Sequence, residues 1–105
     1  MRLVLDTSRV RYTVSKPPDT KTDLDGKQRS DKRTGELLFQ VQLVAFDETG
    51  AEVITVTVAG QLPKVTVGQD VHPVELEAIP WSQEKRSGVA YRAREVRPAQ
   101  QVKAA

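Results

Sequence analysis

The chain contains no cysteine and one histidine, His72. Disulfides, thiolate metal ligands and a cysteine nucleophile are therefore excluded, and a zinc site lacks its usual ligands. Aromatic side chains are few, namely Tyr12, Phe39, Phe46, Trp81 and Tyr91. Any surface on which flat ligands stack must be small. No apolar run approaches the roughly 20 residues that span a bilayer, so no membrane partner is expected. Met1 to Asp6 holds one base and no apolar stretch of signal-peptide length. The expected compartment is the cytoplasm. Internal repeats, heptads and a Gly-rich phosphate loop closed by Lys and Ser/Thr are also missing.

What is present is one domain's worth of chain. At 105 residues, 38% hydrophobic and 29% charged, the composition suits a soluble domain with a modest core. The formal charge of +2 conceals a segregation. Residues 36–80 hold one base, Lys64, against seven acids, a balance of −6. Residues 16–35 balance at +2 and residues 81–97 at +3. Such a separation suits a basic face offered to an anionic partner, with a mixed solvated surface as the bland alternative.

Alternation at period two recurs along the chain and predicts strands. Arg9 to Ser15 reads as a first strand with Val10, Tyr12 and Val14 inward. Glu36 to Phe46 is a second, with Phe39, Val41, Leu43 and Ala45 on one face and Gln40, Gln42 and Val44 on the other. Asp47-Glu48-Thr49-Gly50 is a tight turn into a third strand, Val53 to Val58. Val65 to Val67 is too short and too β-branched for a useful helix. A fourth strand spans Val71 to Ile79, with Pro73 demanding an edge or bulge. Pro80 stops it, Ser82 to Gly88 forms a basic hairpin loop, and Val89 to Val96 makes the fifth. Residues 16–35 form a long, polar, basic loop, far beyond the usual 4–6 residues or so, and such loops are functional or disordered. Residues 1–98 thus form one domain and 99–105 a flexible tail. The expected fold is all-β, a five-stranded OB-type barrel with a long first loop and no substantial helix. An SH3-like barrel or a small sandwich is the alternative.

Catalytic chemistry finds little footing. His72 has no motif around it, and Glu75 and Glu77 alternate with core positions as a solvated face would. Asp19, Asp23 and Asp25 lack the spacing and the closing Glu of an EF-hand loop. No enzymatic activity and no cofactor are expected. Grip on a single nucleic-acid strand needs cations for phosphates and flat side chains for bases. The cations form two groups, Lys16, Lys21, Lys27, Arg29, Lys32 and Arg33 on the first loop, then Lys85, Arg86, Arg92 and Arg94 around the last hairpin. Trp81 follows Pro80 at the hairpin mouth, where it either stacks bases or covers the barrel end. Phe39 is either core or platform. Arg92 and Arg94 either meet phosphate or pair with Glu75 and Glu77 across the sheet.

Val67-Gly68-Gln69-Asp70-Val71 leading into Val74-Glu75-Leu76-Glu77 resembles the fourth-strand entry of single-stranded-DNA-binding proteins. Ile79-Pro80-Trp81-Ser82-Gln83 and Gly88 to Ala93 resemble the aromatic hairpin and closing strand that follow there. The layout is also similar to the compact binding proteins of filamentous phages. Asp25-Gly26-Lys27, Asp31, and Thr34-Gly35-Glu36 ahead of Phe39-Gln40-Val41 resemble short regulatory proteins of actinobacterial integrative plasmids. The resemblance implies sequence-tolerant binding of single-stranded DNA in replication, transfer or recombination. The channel would run between first loop and last hairpin, in a homodimer. Two alternatives stand beside it, a duplex-DNA-binding regulatory or recombination accessory protein, and an adaptor whose edge strand pairs with a protein partner.

Overall fold

The computed structural model describes residues 2–99; most of the expected tail, 100–105, lies outside the described residues. Eight strands form, β1 Leu3–Val4, β2 Arg11–Thr20, β3 Leu38–Asp47, β4 Gly50–Ala59, β5 Asp70–Val74, β6 Glu77–Gln83, β7 Arg86–Arg92 and β8 Glu95–Pro98. No helix occurs among the described residues, and none is therefore long and apolar enough to cross a membrane. Across the sheet the order is β1-β6-β7-β4-β3-β2-β5-β8. Every neighbouring pair is antiparallel except β4 and β7, which run parallel through Val56–Tyr91 and Thr57–Arg92. The sheet curls until β8 comes back against β4, so the architecture is all-β and barrel-like.

The β3–β4 hairpin is as the pattern predicts. Ten residue pairs run without a slip from Leu38–Ala59 to Asp47–Gly50, and Glu48-Thr49 make the turn. Gly50 takes a φ of +140°, which a side chain would resist. Directly opposed residues share a face. Val41 and Leu43 thus meet Val56 and Ile54 inside, while Gln40 and Gln42 meet Thr57 and Thr55 outside. The interior is one cluster uniting Tyr12 and Val14 with Val41, Leu43, Ile54, Val56, Val58, Val65, Val71, Leu76, Ala93 and Val96.

The pattern predicts five strands, and the difference has local causes. The single fourth strand expected over 71–79 is two. Glu75 adopts a φ of +52°, and the buried phase shifts there from Val71 and Pro73 to Leu76 and Ala78. The extra residue lets β5 pair with β2 while β6 pairs with β7. The fifth strand likewise divides at Ala93-Arg94, so that β8 turns away to pair with β5. The basic hairpin loop is strand almost to its tip, because Gln83 still pairs with Arg86. Only Glu84 and Lys85 turn, Glu84 with a φ of +47°. The first strand runs on through Pro17-Pro18 to Thr20, and a register shift between Lys16 and Asp19 absorbs the two missing donors. The loop is correspondingly shorter and is itself folded, with bridges Thr22–Gln28 and Ser30–Leu37.

Candidate functional site

The outer face of the sheet carries an uncharged polar strip across its middle. From β2 through β3 to β4 one row reads Lys16, Gln42, Thr55. The next reads Asp19, Gln40, Thr57, then Arg92 on β7 and Glu77 on β6. Lys16, Pro17, Pro18 and Asp19 border a recess whose floor is Gln40, Gln42 and Thr55. Ser15 donates its hydroxyl to the side-chain oxygen of Gln42 at 3.0 Å, which orients that amide.

The long loop is drawn onto this face by its backbone. Lys21 N donates to Leu38 O, Leu38 N to Arg29 O, and Arg29 N to Lys21 O, at 3.0, 2.9 and 2.7 Å. These bonds cover Leu38, which is buried although it lies on the outer side of β3. Two aspartates shape the loop. Asp23 Oδ1 accepts from the amides of Asp25 and Lys27 and so shapes the turn there. Asp31 Oδ1 accepts from the amides of Arg33 and Thr34 at 2.8 and 3.3 Å, while its Oδ2 takes a guanidinium N–H of Arg92 at 2.5 Å. The Arg92 hydrogen bond, then the Arg33 amide, hold the Asp31 carboxyl at about 2, against an ordinary 3.8.

Lys21 is the second link between loop and sheet. Its Nζ donates to Thr57 Oγ1 at 2.9 Å. Burial, and then the nearby charges of Arg29 and Arg92, push its ammonium below the ordinary lysine range. The loop and β7 therefore meet over Thr57. The alternative pairing of Arg92 and Arg94 with Glu75 and Glu77 is not what forms. Glu77 is the backbone neighbour of Arg92, but its carboxylate lies 3.6 Å from Arg2, and Arg92 turns to Asp31.

The remaining sequence-predicted residues fall in several places. Arg33 and Arg94 border a recess with Arg2, Glu36 and Glu75, where both signs of charge meet. Lys85 and Arg86 stand at the tip of the β6–β7 ribbon, and Lys27 and Lys32 are exposed on the loop. Trp81 shares the outer face with Ile79 and Arg92, since pairing through Trp81–Gly88 continues without a slip. Its ring crosses Gly88 so closely that a Cβ there would lie 2.8 Å from the ring. Trp81 as a whole remains 39% exposed. Phe39 lies opposite Val58, on the face that Val41 and Leu43 share. The sequence reading missed Asp31 as a site residue, and placed Gln40, Gln42, Thr55 and Thr57 only on the faces opposite the apolar ones. The signal available was amide and hydroxyl residues, none charged, alternating on both arms of one hairpin.

Among the described residues no group of three or more histidine, aspartate or glutamate side chains is placed to hold a metal ion. Comparison with protein-family models, with curated proteins and with solved structures yields no match.

Proposed function

We propose that this protein is a non-enzymatic OB-type barrel that binds single-stranded DNA across the outer face of β3 and β4. The fold part of the reading is supported by strand pairing. If β5 and β6 count as one bent strand and β7 and β8 as another, five remain beside the two-residue β1. Three consecutive strands, β2, β3 and β4, are followed by a fourth that lies beside the first. That order is a Greek key, the plan of the OB barrel, in which the face of the second and third strands and the loops beside it take oligonucleotides.

The observation that carries the binding part is the meeting of the two basic segments on one face. The Asp31–Arg92 ion pair and the Lys21–Thr57 hydrogen bond tie the long loop to β7 and β4 over the uncharged strip. Lys16 borders that strip on one side, and Trp81 and Arg86 continue its outer face along the ribbon on the other. Cations at the borders suit phosphates, and an exposed indole suits a base. Resemblance to plasmid proteins is what supports a role in replication, transfer or recombination.

Titration with oligo-dT tests this. Tryptophan fluorescence should be quenched, affinity should fall steeply with salt as counterions are released, and Trp81→Ala should weaken binding by about 1–3 kcal/mol. Absence of salt-sensitive binding to any single strand overturns the reading. The β6–β7 ribbon favours a second reading. A two-stranded ribbon with Lys85 and Arg86 at its tip has the form that a duplex major groove admits. Competition between single-stranded and duplex oligonucleotides of equal length decides between them.

A further inference from the structure

Cationic residues of the loop and of β7 converge near one hydroxyl, that of Thr57. Lys21 reaches Thr57 Oγ1, and Arg92 is the backbone neighbour of that same Thr57. Arg29 is joined to Lys21 through the backbone, and the charges of Arg29 and Arg92 are both felt at the Lys21 ammonium. Asp31 is the carboxylate that engages Arg92, through its Oδ2, while Glu77, across the ladder from Arg92, lies against Arg2. Among the described residues neither Lys21 nor Arg29 has a carboxylate within ion-pairing distance. A half-buried ammonium that feels the charges of Arg92 and of the exposed Arg29 gains from a nearby anion, because burial and like charge both act against its charged form.

The donor set indicates the anion. A primary ammonium, a hydroxyl and guanidinium N–H groups approach from different elements, the loop, β4 and β7. A tetrahedral oxyanion offers acceptors in several directions and takes such a set more fully than a planar carboxylate does. We propose that Lys21, Arg29, Thr57 and Arg92 form a seat for one phosphate group, and that Asp31 is its built-in competitor for Arg92. The phosphate source rests on the reading of this face as a DNA-binding one, since a strand crossing from Lys16 towards Trp81 passes over Thr57. The anion chemistry itself does not depend on it.

Asp31 is suited to the exchange. Its Oδ1 alone holds the amides of Arg33 and Thr34, and Oδ2 alone holds Arg92. Phosphate can thus replace one contact and leave the loop's turn intact. Seating it frees the loop from β7 while neutralising the cations beneath.

The test is an NMR titration of the full chain with inorganic phosphate, following backbone amides and the lysine ammonium signals. Saturable shifts are expected at Lys21, Arg29, Thr57 and Arg92, with the Lys21 ammonium titrating at higher pH when phosphate is bound. Asp31→Asn keeps an Oδ1 for the turn and removes the competing charge. It should tighten phosphate by about tenfold, the scale of one charge-assisted hydrogen bond, and Lys21→Met should abolish the shifts. Weaker phosphate binding by Asp31→Asn overturns the competitor. If that variant does not fold, the Lys21 ammonium of the unmutated chain decides, and its titration unmoved by phosphate overturns the seat. Oligo-dT run in parallel separates the two readings. Quenching of Trp81 by oligo-dT without phosphate shifts at Lys21 removes the seat and keeps the DNA face. Phosphate shifts at Lys21 without any oligo-dT binding keep the seat and remove the DNA face.

Discussion

Asp31 joins two kinds of order, a local turn through Oδ1 and a tertiary contact through Oδ2. Its carboxyl is held at about 2, below the ordinary 3.8, chiefly by the Arg92 hydrogen bond. A carboxyl depressed in the folded state stabilises it above its unfolded value and loses that contribution as pH falls through the folded one. The window therefore lies between about pH 4 and pH 2. Amide exchange at Arg33 and Thr34 should quicken, relative to its intrinsic acid dependence, as pH is lowered through that window. The same residues in Asp31→Asn should show no such step. Protection that stays flat in the unmutated chain would mean that Asp31 does not hold the loop. Asp47 is lowered as well, but by Thr49 within its own turn, so its titration leaves the loop contact untouched.

At the scale of elements, the bend at Glu75 decides how the sheet closes. A straight strand from Val71 to Ile79 cannot serve both β2 and β7 with one phase of buried residues. The residue at the bend has a positive φ, where a Cβ is strained by roughly 1–2 kcal/mol. Glu75→Gly removes that strain, and the greater freedom of glycine in the unfolded chain offsets part of the gain. A net stabilisation of about 0.5–1 kcal/mol is expected in urea denaturation, whereas Glu75→Val should destabilise, since β-branched residues tolerate that conformation least. Stabilisation by valine would show that the bend is not held in this conformation. The hairpin β3–β4 and the alternation in β2 were legible in the sequence because each pairs one buried face with one polar face. The divisions at Glu75 and at Ala93-Arg94 were not, since runs of Val, Leu and Ala read alike in either phase. The ribbon was read as a loop because its residues are polar on both faces, as befits two strands that extend away from the core.

For the molecule as a whole, one apolar cluster connects β2, β3, β4, β5 and β8 with Leu76 and Ala93 at the two bends. No subset of strands has a core of its own, so unfolding should be a single cooperative transition. Leu43 has no exposed surface at the centre of that cluster. Leu43→Ala should cost about 2–5 kcal/mol, and circular dichroism and tryptophan fluorescence should report the same midpoint. Separate midpoints, with Trp81 released first, would show that the ribbon melts independently of the barrel. Asp31→Asn should lower that midpoint by less than Leu43→Ala does, because it removes one loop contact and leaves the cluster intact.

Length, the missing cysteines and the alternation of apolar with polar residues determined an all-β chain with one small core. These properties depend on residue type and on neighbours two positions apart, which a sequence carries directly. The phase of burial past Glu75, the return of β8 to β5 and the folding of residues 21–37 onto the sheet were decided by tertiary structure. So was the choice of partner for Arg92. Glu77 is its neighbour across the ladder, yet Asp31, 61 residues away along the chain, receives its hydrogen bond. A charge is satisfied by whichever opposite group the fold brings within bonding reach of it, and that proximity has no local trace in the sequence.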